Sequence, residues 1–479
     1  MKKLSIKIAI VTILSIMLFT SCKKNDNFNP TGNDEINLYI WRAMNGFYLW
    51  QENVPDLDDN RFSNVGQVYE NYADFASPRD VFQSLLYQPG TVDRFSVIVE
   101  DYVALENSFQ GINVSNGMEF GLVRFATNTS NVFGYVRYIV PNSDAATKGV
   151  SRGMIFTEVD GTQLTDTNFG SLLFGTNNNY TITLADYNNG DPIANTNTIA
   201  LTKTQIQENP VHITTTITEG AHKIGYLMYN QFSSSFDGQL NAAFAQLQSE
   251  NITDLIIDLR YNGGGSVRTA TFLGGMVTGQ FNGQLYSQEI WNSKVRDAVD
   301  PSNFINNFTN QLNNGTINEP LNNLNLTRVY FITTGSTASA SELVMNSLSS
   351  YIDVNSVGTT TIGKIHGSVT LYDSDNLTRT GANLNPNHTW AIQPLVLEIA
   401  NADGSNAPGG IVPTVNLSED YGNLGILGDR TDPLLDRTIV LITTGNRSSV
   451  SSRTFEMQEI SNYQINNPTR NNMYSDVKQ

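Results

Sequence analysis

Residues 335–342 read Gly-Ser-Thr-Ala-Ser-Ala-Ser-Glu, between an apolar run at 329–333 and a stretch at 342–352 that carries Leu343, Val344 and Leu348 on one helical face. The pattern predicts a buried strand, an elbow and a helix, with Ser339 in the elbow. A hydroxyl at such a junction gains exposure and nearby N–H donors, which suits a nucleophile. Ser339 to Glu342 also has the Ser-x-x-Glu spacing of a capping box, in which a serine contributes about 1 kcal/mol and does no chemistry. Local sequence leaves both roles open. A second junction, residues 258–266, places Gly263, Gly264 and Gly265 between a continuous apolar strand at 254–259 and a helix at 267–277. Glycines let the backbone turn tightly and approach a ligand, and N–H groups at a helix start favour negative charge. A phosphate cradle lacks its Lys-Ser/Thr here; an oxyanion hole uses the same backbone geometry, and a plain glycine turn uses it for nothing.

The elements around these junctions alternate. A strand at 224–229, a helix at 240–247, the strand at 254–259, the helix at 267–277, the strand at 329–333 and the helix at 342–352 argue for an α/β unit with a largely parallel core. Upstream, apolar residues at helical spacing over 35–50 and a second helix at 78–87 predict a small helical N-terminal domain, 34–100. Residues 101–205 change character, with strands at 132–140 and 180–185. Between them run Asp144-Ala145-Ala146, Arg152-Gly153-Met154-Ile155 and Val159-Asp160-Gly161, an order that resembles a PDZ domain, although Met154 stands where that family usually has Asp. The resemblance implies a peptide-binding loop at Phe120, Gly121 and Leu122. The α/β unit is expected to span 206–440. A C-terminal extension, 441–479, opens with a short strand at 440–444 and then turns polar, as a peripheral tail would.

The ends and the charge bound the setting. Lys2, Lys3 and Lys7 precede an apolar run over 8–19 that stops at Thr20-Ser21-Cys22, the pattern of a secretory signal peptide, 1–21. Cys22 is the chain's one cysteine, and its place resembles a bacterial lipobox. The expectation is a lipidated Cys22, a polar tether over 22–33, and export to the cell envelope with a membrane anchor. One cysteine also excludes an intramolecular disulfide. With 45 acidic against 28 basic residues the net charge is −17, which disfavours nucleic acid as a partner.

The α/β half resembles the C-terminal processing (tail-specific) serine peptidase family. Ile224-Gly225-Tyr226-Leu227 with Phe232, the glycine loop at 258–265, Thr337 to Glu342, Thr361-Ile362-Gly363-Lys364, Gly410-Ile411-Val412-Pro413 and residues 429–435 match that family's segments in order. The resemblance implies a multidomain α/β protein: a Clp/crotonase-like α/β peptidase core with an inserted PDZ-like β domain and the N-terminal helices. It implies Ser339 as nucleophile, Lys364, 25 residues on, as general base, and the N–H groups of Gly264 and Ala340 as oxyanion hole. The implied partner is a polypeptide substrate; no cofactor or metal is implied. A free lysine titrates near ~10.4 and is no base at neutral pH, so Lys364 must be buried. After residue 223 its only rivals are Lys294 and Lys478. The family usually has Gln four residues after the lysine; here that position is Ser368, so Ser368 or His366 is the candidate for orienting the dyad. A Ser-His-Asp triad would need one of His212, His222, His366 and His388, none of which sits in a motif that makes it a base. No His-x-x-x-His occurs to suggest a metal. The alternative expectation is a surface lipoprotein that has lost activity and binds peptides through its PDZ-like domain.

Overall fold

The computed structural model describes residues 32–448, 457–460 and 473–475. The signal and lipobox expectations, Cys22 included, lie outside them. No helix among the described residues is long and apolar enough to cross a membrane.

The α/β unit is built on a six-stranded sheet in the order Val211–Glu219, His222–Tyr229, Asp254–Asp258, Arg328–Thr333, Asp353–Gly358, Val415–Asn416. Only the first pair is antiparallel. A strand covered on both faces must be apolar on both, and Asp254–Asp258 is wholly buried. Leu255 and Ile257 join a core with the helices Asp237–Ser249, Val267–Thr278 and Ala340–Ser349. Ile256 faces the other core, under the helix Pro433–Thr444. That helix replaces the strand expected at 440–444: Pro433 at its first turn and the Asp432 cap start it, and its apolar face is needed to cover the sheet.

A second six-stranded sheet runs Gly265–Ser266, Met473–Tyr474, His366–Ser368, Leu395–Asn401, Leu285–Trp291, Ile305–Asn307. The tail expected to be peripheral therefore supplies an inner strand, with Met473 fully buried. Two residues of strand carry no periodicity that a sequence could show.

The N-terminal helices Gly32–Phe47 and Pro78–Ser84 were expected; a further helix, Val65–Tyr72, starts at an Asn64 cap. Their apolar residues, from Ile36 to Phe82, belong to the same core as Leu255 and Phe331. Residues 118–202 form a separate antiparallel sheet in the order Met118–Arg124, Val132–Ile139, Ile155–Val159, Asn179–Asp186, Ile193–Thr202, with its own core.

Candidate active site

The strand Arg328–Thr333 delivers the chain to residues 334–339, and the strand Asp254–Asp258 beside it delivers the glycine loop. Hydrogen bonds lace the two junctions together. Thr337 Oγ1 donates to Leu259 O at 2.8 Å and Thr334 Oγ1 donates to Arg260 O. Asn262 O accepts from Ala338 N–H at 3.1 Å and from Ser341 Oγ at 3.0 Å. Arg260, fully buried, is clamped by Asp258 at 2.7 Å and Asp432 at 2.8 Å, so the glycine loop leaves the sheet from a fixed root.

Ser339 sits in the elbow with φ +67°, a conformation that costs a non-glycine residue on the order of 1–3 kcal/mol. The helix Ala340–Ser349 begins at the next residue. Half of the capping box is made: Ser339 N–H donates to Glu342 Oε2 at 2.7 Å. In the other half the Ser339 side chain faces the Glu342 N–H as in a capping box, but without a formed hydrogen bond: buried Ser339 Oγ has no hydrogen-bond partner among the described residues. The hydroxyl sits in the capping position yet is held by no hydrogen bond.

The same carboxylate reaches a second segment. Glu342 Oε2 also accepts from Lys364 N–H at 2.9 Å, and Oε1 accepts from Gly363 N–H at 2.7 Å and from Thr361 Oγ1. Burial raises the Glu342 pKa and these donors hold it back. One buried glutamate therefore sets the spacing between the backbones of Ser339 and Lys364. Sequence reasoning saw Glu342 only as a cap.

Ser339, Glu342 and Lys364 line one pocket with Asn346, Asn406 and Ile411. Lys364 is 3% exposed. Burial lowers its pKa to about 7, against the pull of Asp93 and Glu342. Its Nζ lies 5.0 Å from the centre of the Phe95 ring. Phe95 is held by Asp93, whose Oδ1 accepts its N–H at 3.1 Å and whose Oδ2 accepts from Tyr48 OH at 2.7 Å. Arg94 Nη2 donates to Gly363 O at 3.2 Å. The N-terminal segment thus packs against Lys364 and the residue before it, a role no local motif announced. An amine titrating near neutrality beside a buried serine is the equipment of nucleophilic catalysis with a lysine base.

Residues 223–401 match the family model described as Peptidase family S41, and residues 35–97 match that of the Peptidase S41 N-terminal domain. The chain belongs to peptidase family S41. A solved structure from Bacteroides fragilis NCTC 9343, provisionally named an S41 protease, shares the fold at 21% identity and TM-score 0.62, over 88% of this chain and 99% of that one. The photosystem II D1 C-terminal processing protease aligns at 19% identity and TM-score 0.49, over 84% of this chain and 96% of that one. No curated protein matches the chain.

Ala340 is the first residue of its helix, where an N–H has no intrahelical acceptor. Gly264 N–H is engaged instead, donating to Asn262 Oδ1 at 2.9 Å, so this donor serves an oxyanion only once the Asn262 side chain turns away. Ser368 Oγ donates to Met473 O at 3.2 Å, within the second sheet. His366 packs edge-on against Trp50 at 5.1 Å, and burial lowers its pKa to about 4. His222 pairs with Asp254 at 2.8 Å, His388 pairs with Asp373 at 3.0 Å, and His212 lies against Tyr138. The residues lining the Ser339 pocket include no histidine. Phe120, Gly121 and Leu122 are in the strand Met118–Arg124, not a loop, and Leu122 is fully buried. The strand pairs with Val132–Ile139 on one side and with residues 458–460 on the other, so there is no looped cradle. Phe120 shares a cleft with Tyr261 and Gly263 of the glycine loop. Behind it, Arg152 donates to Tyr261 OH at 2.8 Å, and Arg137 Nη2 to Ser336 Oγ at 3.1 Å.

Proposed function

We propose that this S41 peptidase hydrolyses peptide bonds with a Ser339–Lys364 dyad. The observation that carries the reading is a lysine buried in the pocket of the elbow serine, its pKa lowered to about 7 by that burial. Lys364 as neutral amine takes the Ser339 Oγ proton while Oγ bonds to the substrate carbonyl carbon. Ala340 N–H, joined by Gly264 N–H when Asn262 releases it, holds the oxyanion. The C–N bond then breaks, the Lys364 ammonium returns its proton to the leaving amine, and water repeats the cycle on the acyl-enzyme. Ser368 and His366 act on the dyad through the strand that follows Lys364.

The substrate is a polypeptide of the cell envelope, taken near a C-terminus or from an unfolded chain, and added as a strand along Met118–Arg124 of a PDZ-like domain. Cys22 carries the lipid that tethers the enzyme there. Ser339→Ala in the full chain is expected to abolish cleavage of an unfolded protein and to leave peptide binding intact. Were the wild-type chain also to cleave nothing across a broad panel of unfolded proteins, the enzyme reading would fall. The chain would then be a peptide-binding lipoprotein.

A further inference from the structure

The strand Met118–Arg124 ends its sheet, with Val132–Ile139 on one side only. Its other side is filled by residues 457–460 of the same chain. Arg124 N–H donates to Gln458 O at 2.9 Å, Ile460 N–H donates to Leu122 O at 2.8 Å, and Val123 faces Glu459 in an antiparallel bridge. This is strand addition by an extended segment. The side chains are read as well. Glu459 Oε1 accepts from Tyr135 OH at 2.9 Å and from Arg137 Nη2. Arg137 Nε donates to Tyr135 OH at 3.1 Å, which fixes both groups as one acid-binding pair. Arg137 is 4% exposed, so its charge is kept out of water and demands a partner. On either side of the acid, Met457 meets Tyr187 and packs against the small core that contains Tyr421, and Ile460 packs against the core that contains Leu122.

Gly121 explains how the acid is reached. A Cβ there would stand 2.3 Å from the Tyr135 ring and 2.6 Å from its hydroxyl. Only glycine lets Tyr135 lie across the edge strand with its hydroxyl on the added segment.

We infer that the Met118–Arg124 edge is a binding site for an extended peptide with an acidic residue followed by an apolar one, and that residues 457–460 are its resident, competing occupant. The inference deepens the strand-addition reading above by naming the ligand's chemistry. A tethered occupant acts at high effective concentration. Because residues 473–475 are anchored in the second sheet, 457–460 are tethered from both directions, and a free peptide must displace them.

The test is equilibrium binding of a fluorescent octapeptide spanning residues 455–462 to the full chain, carrying Ser339→Ala so that nothing is cleaved. Glu459→Arg with Ile460→Asp in the tail should tighten binding at least tenfold. Glu459→Gln alone, which removes a charge without touching any core, should give a smaller gain. A peptide with Gln in place of its central Glu should bind at least tenfold more weakly than the parent peptide. Hydrogen exchange guards against misfolding: the Arg124 amide should be protected in the parent and lose protection in the tail variants, with Asp254–Asp258 unchanged. Equal affinity of parent and variants, equal binding of the Glu and Gln peptides, or an unprotected Arg124 amide in the parent would each overturn the inference. None of these readouts depends on hydrolysis, so a failure of the dyad would leave them standing.

Discussion

Ser339 pays for its position with backbone strain rather than with a hydrogen bond. At φ +67° the left-handed region favours glycine. Ser339→Gly is therefore expected to raise stability by about 1 kcal/mol while abolishing cleavage, read by denaturant melts and by product formation. A Ser339→Gly chain less stable than wild type would mean that the hydroxyl is structural. Lys364 gives the matching case in charge. Its folded pKa of about 7 lies below the ordinary 10.5, so between these values the unfolded chain binds the extra proton. Wild-type stability must then rise with pH across that window. Lys364→Met removes the penalty. Its gain should be largest at or below pH 7, on the order of 5 kcal/mol, and should vanish toward pH 10.5. A gain independent of pH would show that packing, not charge, was changed. Both residues were legible in sequence, since motif and order singled them out. Their environment was not: strain, dryness and the unused hydroxyl are properties of the folded junction.

At the scale of elements, the site is two strand-to-helix junctions and one following segment held by Glu342. Its carboxylate gathers N–H groups from Ser339, Gly363 and Lys364. Glu342→Gln presents an amide NH2 to one pair of those donors and leaves them unmet. The expected outcome is a loss of about 2–3 kcal/mol in stability with kcat down at least a hundredfold and KM little changed, as expected for a group that positions rather than binds. A fall confined to KM would contradict this. The strands and helices around these junctions were readable because buried parallel strands are continuous apolar runs and amphipathic helices show their period. The segment at 440–444 misled because a short apolar run has no period of its own; Asp432 and Pro433, just upstream, were the helix signal. Gly264 was assigned from its motif, but the Asn262 side chain that occupies its N–H could be found only in three dimensions.

Over the whole molecule, the N-terminal helices and the α/β unit share one core, and the Phe95 ring lies against the Lys364 amine. Phe95→Ala should admit water, move the lysine toward 10.5 and cut the rate at pH 7 more than tenfold, with recovery toward pH 9. A pH–rate profile would check it; a uniform loss at all pH values would point to collapse instead. Such long-range contacts, like the two-residue strand at Met473–Tyr474, leave no local pattern, which is why the sequence divided the chain into units that the fold joins. The dyad needs an uncharged amine. An NMR titration of the Lys364 side-chain nitrogen in the full chain, assigned by its absence in Lys364→Met, measures it directly. A midpoint near 7 is the predicted result, and a midpoint near the ordinary 10.5 would contradict the dyad.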